Sequence, residues 1–256
     1  MSDPSSPVVL ITGAARRIGR ALALDLAAHG WAVAVHHHHS ADDAAAVVDA
    51  IRDAGGRAAA VSADLADEAQ VRGLVGRAAA SLGPVSALIN NASVFEHDDP
   101  ATMTRESWDR HLEVNLRAPM VLTQDLVAGL PDGAGGSVVN IIDQRVWNLT
   151  PHFTSYTLSK AGLWTLTQTL ALALAPRVRV NAVGPGPTLP SPRQTEAQFQ
   201  AQWRAQPLAR PVDPADIGTA VRFLLDARTV TGQMIALDSG QHLGWSFPDP
   251  ATDLPE

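Results

Sequence analysis

The 256-residue chain contains no cysteine. Disulfide frameworks, thiolate zinc sites and cysteine nucleophiles are therefore excluded, which fits a cytoplasmic setting. Also missing is any run of about eighteen apolar residues, the length a helix needs to span a bilayer. The opening stretch MSDPSSPVVLITG has no basic segment followed by a long apolar one, so no export signal is expected. The formal net charge is −7 and no block of Lys or Arg occurs. The electrostatic footprint of a nucleic-acid binder is thus absent, and no membrane partner is expected. Any bound anion has to be held locally. There is no internal repeat and no long low-complexity tract. With 46% hydrophobic and 18% charged residues, one domain spanning 1–256 can bury a sufficient core. A short flexible N-terminus (about 1–6) and a loosely ordered Pro-rich tail (about 246–256) are expected at its ends.

What is present is an alternation of two patterns. Short apolar or β-branched runs recur at 8–12 (VVLIT), 31–36 (WAVAVH), 57–64 (RAAAVSAD), 85–92 (VSALINNA), 137–143 (SVVNIID), 177–184 (RVRVNAVG) and 234–240 (MIALDSG). Between them lie Ala/Leu-rich segments with helical spacing, such as Ile18, Leu22, Leu26 and Leu163, Leu166, Leu170, Leu174. Strands with one wet face would alternate polar and apolar residues. Continuous apolar runs predict a parallel sheet covered on both faces, hence an α/β, single-domain, doubly wound Rossmann-type fold. The Pro/Gly-rich stretch GPGPTLPSPRQ at 184–194 is too short for a domain linker and reads as a loop over a site.

The segment LITGAARRIGRAL follows the first run and opens the first helix, placing Gly13 and Gly19 where backbone N–H groups can face a phosphate. Arg16 and Arg17 stand at the start of that helix. Cations are disfavoured there by about 0.3–1 kcal/mol each unless an anion is bound, so the pair suggests a polyanion; the alternative is two solvated arginines. At the end of the second strand an NAD-binding fold would carry an Asp or Glu for the ribose diol. Here His36, His37, His38, His39 and Ser40 occupy the place and bring no fixed negative charge, an arrangement that tolerates a 2′-phosphate and favours NADP. A solvated polar turn is the competing reading, and a metal site is disfavoured because strand neighbours do not converge. Asp42 and Asp43 read as first-turn helix acids. Asp64 ends the third strand as a partner for an adenine amino group. Asn90, Asn91, Ala92 and Ser93 end the fourth, with Phe95 just beyond as either a site or a core residue.

Tyr156 and Lys160 are i and i+4 on one helix, hence on one face. A nearby ammonium stabilises phenolate and makes Tyr156 a usable proton donor. Asp143 ends an apolar run, so it either lines a site at a strand end or caps the following turn. Asn115, a poor helix former within a helical stretch, either kinks the helix or holds a water.

Taken together, the TG-x-x-x-x-x-G turn, NNA, the helical Asn115, Y-x-x-x-K and the Pro-Gly loop resemble the short-chain dehydrogenase/reductase family over roughly 8–244. The resemblance implies a seven-stranded parallel sheet in the order 3-2-1-4-5-6-7. Asn115, Tyr156 and Lys160 would be members of the catalytic tetrad, with Asp143 where the family has Ser. Arg17 stands where the general pattern has its middle Gly. Both departures, the histidine-rich stretch and Phe95 are similar to pteridine reductases. That subgroup implies NADPH-dependent reduction of a pterin such as dihydrobiopterin, dihydromonapterin or dihydrofolate, with no metal. The alternatives are a carbonyl or quinone reductase and a non-catalytic NADP-binding sensor. By the same resemblance the cofactor surface takes in Gly13, Arg16, Arg17, Ile18 and Gly19, the 36–40 stretch, Asp64, Leu65, Asn91, Ala92, Ser93, Pro185, Gly186 and Thr188. Arg17, Ser93, Phe95, Asp143 and Tyr156 would touch the pterin, and a homotetramer is expected. A neutral hydroxyl suits carbonyl reduction, whereas an imine nitrogen must gain a proton. A buried carboxyl whose pKa is raised by desolvation can relay it through Tyr156.

Overall fold

The computed structural model describes residues 6–191 and 193–244. The tail expected at 246–256 and residues 1–5 of the N-terminus lie outside them. Seven strands form one parallel sheet in the order β3-β2-β1-β4-β5-β6-β7. They are β1 (Val8–Ile11), β2 (Ala32–His37), β3 (Ala58–Ser62), β4 (Val85–Asn90), β5 (Gly136–Ile141), β6 (Val178–Pro185) and β7 (Met234–Leu237). Each lies in one of the seven apolar runs, give or take a residue at its ends. β1 and the interior of β4 are buried on both faces, which is why these strands carry no polar–apolar alternation.

The helices are α1 (Arg17–Ala28), α2 (Ala41–Asp53), α3 (Glu68–Val71), α4 (Leu74–Leu82), α5 (Arg105–Leu112), α6 (Ala118–Gly129), α7 (Thr154–Leu174), α8 (Glu196–Arg204) and α9 (Pro214–Asp226). Leu22 and Leu26 of α1, Ile51 of α2 and Ile217 of α9 pack one face of the sheet with Val9 and Val33. Leu74 of α4, Leu126 of α6 and Leu170 of α7 pack the other with Leu10 and Leu88. The fold is therefore doubly wound. β2 and β4 flank β1 on opposite sides, so the chain reverses its direction of winding there, and a crevice opens beyond the carboxyl ends of the strands. Among the described residues no helix is long and apolar enough to cross a membrane.

Candidate active site

The crevice begins at the turn after β1. Gly13 has φ +62°, and a Cβ on it would lie 3.1 Å from Ala92 Cα. A Cβ on Gly19 would come within 2.1 Å of Gly13 O and 2.6 Å of Asn91 Nδ2, so α1 can approach the turn only without a side chain at that position. Asn91 Nδ2 donates to Thr12 O at 2.8 Å, and the backbone N–H of Asn91 and of Ala92 donate to Thr12 Oγ1 at 2.9 and 3.0 Å. These bonds tie the end of β4 to the turn. Arg17 has φ +52°, a left-handed backbone that costs a non-glycine residue about 1 kcal/mol or more. Its guanidinium reaches across the crevice and donates to Pro190 O at 2.9 Å and Leu189 O at 3.2 Å. Arg16 instead donates from Nε to Asp43 Oδ2 at 2.6 Å. One of the two arginines expected to mark a bound polyanion thus has its anion within the chain.

The histidines after β2 separate into two groups. His36 is 2% exposed. Its Nδ1 accepts from Gly13 N at 3.0 Å and its Nε2 lies 3.2 Å from Ala63 O, which places the ring proton on Nε2. Burial lowers its pKa to about 4, so the ring is neutral at pH 7. Expected to face a phosphate, His36 braces the glycine turn from beneath. Side chains alternate along a strand, which puts residue 36 on the same face as the core residues Ala32 and Ala34. His38 and His39 are exposed with ring centroids 3.4 Å apart, beside half-buried His37 and Ser40. His38 Nδ1 is 3.8 Å from Asp64 Oδ1, which itself accepts from Ala66 N at 2.9 Å. Leu65 is buried in the core. Among the described residues no group of three or more His, Asp or Glu converges as a metal site.

At the end of β5 the Tyr156 hydroxyl donates to Asp143 Oδ2 at 2.8 Å, while Asp143 Oδ1 accepts from Arg145 N at 2.8 Å. Asp143 thereby fulfils both sequence readings: it caps the short turn Gln144–Val146 and faces the phenol. It is half-buried rather than buried, because it stands at the rim of the crevice. Lys160 is 2% exposed and donates from Nζ to Ile141 O at 2.9 Å, with Nζ 5.9 Å from the Tyr156 ring centroid. Burial lowers its pKa to about 8, and nearby Asp143 opposes that fall. Tyr156 and Lys160 are the single tyrosine and the single lysine of the chain. Asn115 lies in a π-helical turn, Glu113–Arg117. Its Oδ1 accepts from Val94 N at 2.8 Å, and its Nδ2 donates to Val94 O at 2.9 Å and Ser159 Oγ at 3.0 Å. It braces the site from behind and is not among the residues that line the crevice.

The crevice encloses a cavity of about 260 Å³, lined among others by Arg17, Ile18, Asn91, Ser93, Phe95, Asp143, Tyr156, Lys160, Pro185, Gly186 and Thr188. Gly13, Arg16, Gly19, Ala92, residues 36–40, Asp64 and Leu65 do not line it; they lie in the turn after β1, at the start of α1 and at or just beyond the ends of β2, β3 and β4. Pro187, Thr188, Leu189, Ser191 and Gln194 of the Pro/Gly-rich loop line it, as that loop's composition suggested, with Thr188 Oγ1 donating to Gly186 O at 2.9 Å. Arg193 fastens this loop by donating to Phe95 O at 3.0 Å and pairing with Glu96. The Phe95 ring stacks on Phe153 with centroids 4.4 Å apart and meets Tyr156 edge-on at 4.7 Å. Arg145, 5% exposed, holds its guanidinium carbon 5.2 Å from the Phe153 centroid and 5.8 Å from that of Tyr156. Sequence reasoning did not single out Phe153 and Arg145 as site residues, although both stand in the stretch DQRVWNLTPHF, which is similar to pteridine reductases, and close in the chain to Tyr156 and Asp143.

A phenol beside a buried ammonium at the mouth of a dinucleotide-type turn can give up a proton to a substrate in the crevice, which is the chemistry of a reductase. A family model described as Enoyl-(Acyl carrier protein) reductase matches residues 13–242. The chain belongs to the short-chain dehydrogenase/reductase family of oxidoreductases, in its pteridine-reductase-like branch. FolM alternative dihydrofolate reductase 1 from Brucella canis, solved with NADP, is 51% identical at a TM-score of 0.92, with 95% of this chain and 97% of that chain covered. The protein of the same name from Brucella suis, also solved with NADP, is 51% identical at a TM-score of 0.92 over 97% and 99%. An uncharacterized oxidoreductase of Methylorubrum extorquens is 38% identical over 94% of this chain and 99% of its own length.

Proposed function

We propose that this protein reduces a pterin or folate ring using NADPH. The observation that carries the reading is the Tyr156–Asp143 hydrogen bond of 2.8 Å, a carboxylate placed where simple carbonyl reduction favours a neutral hydroxyl. The similarity to two alternative dihydrofolate reductases solved with NADP supports it. The residues fit the cofactor on their own terms. Gly13 and Gly19 let α1 pack tightly against the turn after β1, where a Cβ would collide with Ala92 or with Gly13 O and Asn91, so backbone N–H groups can face a phosphate, and exposed His38 and His39 with Ser40 offer donors and no fixed charge to a 2′-phosphate. Lys160 would hold a ribose hydroxyl. When bound, NADPH supplies the hydride to a ring carbon.

This chain's own groups supply the proton and the alignment. Tyr156 gives its hydroxyl proton to the ring nitrogen, and Lys160 favours the phenolate left behind. Asp143, already bonded to that hydroxyl, relays the replacement proton. Phe95 offers one ring face to the pterin because Phe153 occupies the other. Arg17 and Ser93 contact the pterin or a phosphate, and Thr188 covers the nicotinamide end. We also propose a cytoplasmic homotetramer; the partly apolar hollow between the π-helical turn Glu113–Arg117, α6 and α7, lined by Leu116, Met120 and Leu166, supports burial against a second copy.

Steady-state NADPH oxidation with dihydrobiopterin, dihydromonapterin and dihydrofolate, beside a panel of ketones, tests the reading. Turnover of a pterin or folate that falls about a hundredfold or more in Asp143→Ser is expected. Turnover of ketones alone overturns the substrate class, and an equally active Asp143→Ser overturns the role of the carboxylate.

A further inference from the structure

Beneath Phe95 and Tyr156 lies a buried polar cluster that the reaction itself does not use. α7 begins without a cap of its own: Phe153 makes no capping bond and the first turn holds no acid. The missing anion comes from Asp98, 57 positions away, which is 2% exposed. Its Oδ1 accepts from Ser155 N at 3.1 Å. Its Oδ2 accepts from Ser155 Oγ and, at 3.0 Å, from Ser107 Oγ. Its backbone O accepts from Phe153 N at 2.7 Å. Burial pushes the Asp98 pKa up, but the bonds from Ser155 and Ser107 outweigh it and leave the group below its usual value. A carboxylate here also meets the positive end of a 21-residue helix.

His111 closes the cluster from α5. Its Nε2 accepts from Glu96 N at 3.0 Å, so the ring proton sits on Nδ1, 2.8 Å from both Ser107 O and Ser155 Oγ. One set of bonds thus grips the chain on both sides of the reaction site. Glu96 N and Asp98 lie within three positions after Phe95, while Phe153 and Ser155 lie within three positions before Tyr156. Phe153 also carries a left-handed φ of +60°, held between two bonds to Asp98.

We propose, resting on the pterin reading above, that Asp98, Ser155 and His111 form a clamp that sets the stacking face of Phe95 against the hydroxyl of Tyr156, so that Asp98 and Ser155 are positioning residues for the reaction. The cofactor's turn after β1 lies on other elements and contributes no residue to the clamp, and Lys160, although on α7, is fixed separately by its bond to Ile141 O at 2.9 Å. Loosening it should therefore misplace substrate and proton donor relative to one another while leaving NADPH binding intact. Misalignment of this kind costs rate steeply, up to about a hundredfold for 1 Å.

The test measures kcat and KM for dihydrobiopterin, and Kd for NADPH by fluorescence, in the wild type, Asp98→Asn and Ser155→Ala. The expected result is a fall of about tenfold or more in kcat and a rise in pterin KM, with NADPH Kd changed less than about twofold. Variants that lose thermal stability but keep kcat and KM per folded molecule overturn the clamp. So does weakening of NADPH binding in step with kcat. Should Asp98→Asn not fold, Ser155→Ala, which removes one hydroxyl, decides alone. A wild type inactive on every pterin and folate overturns the substrate reading instead; the clamp is then judged by the same ratios on whichever ketone the wild type reduces.

Discussion

The two ends of the crevice are built differently. At the turn after β1 the work is done by backbone: Gly13 and Arg17 in left-handed conformations, a Cβ-free contact at Gly19, and a neutral His36 bonded to Gly13 N. The side chains that face outward there, His38 and His39, are exposed. At the ends of β4 and β5 the features that matter are side chains, and they are fixed. Tyr156 bonds Asp143, Asp143 accepts from Arg145 N, Lys160 bonds Ile141 O, and Phe95 stacks on Phe153, whose N–H is held by Asp98 O. An anion of variable geometry can be held by an adaptable rim. A proton has to be delivered to one atom, which requires groups already in place.

The contrast can be broken in three ways. The largest effect is expected from Tyr156→Phe, which removes the proton and leaves the shape. The kcat for pterin reduction should fall about a thousandfold, with NADPH affinity within about threefold by fluorescence titration. Comparable losses in both would mean that the two ends are not separable.

The next effect belongs to the turn. His36 binds its proton near pH 4 in the folded protein and near 6.5 when unfolded, so the unfolded chain holds more protons between those values. Stability on this account is present above about pH 6.5 and is lost as pH falls toward 4, by up to ~3 kcal/mol. Urea denaturation at pH 7, 5.5 and 4 should show a steeper loss in the wild type than in His36→Gln. Equal slopes would remove His36 from the bracing of the turn.

The smallest effect is expected from Arg17→Gly. Relief of the left-handed backbone offsets the two lost loop bonds, so stability should stay within ~1 kcal/mol. The KM for pterin should rise about tenfold, because the residue that spans the crevice is gone. A loss above about 2 kcal/mol in denaturation would make Arg17 a structural residue.

The seven strands were legible because each is a continuous apolar run, and the Tyr156–Lys160 pair because i and i+4 share a helix face. Asp143 was legible as a strand-end acid, although sequence could not decide between cap and site residue; both contacts exist because it has two oxygens. His36 was misplaced because four consecutive histidines read alike, while the pleat of β2 sends one of them inward. The pairing of Arg16 with Asp43 was not legible because the two stand 27 positions apart. Asp98, His111 and Ser155 gave no signal at all: they come from a loop and two helices, joined by bonds spanning 44 and 57 positions, and none stands in a recognisable spacing.

The chain carries one tyrosine and one lysine, and both sit in the crevice. Grown with carbon-13 tyrosine, the protein gives a single labelled ring whose signal is that of Tyr156, with no assignment needed. Its ionisation can be followed directly as ligands are added. Apart from the chain terminus, any amine-selective reagent can find only Lys160, so the rate of its acylation, with and without ligands, reports how far this buried amine is shielded.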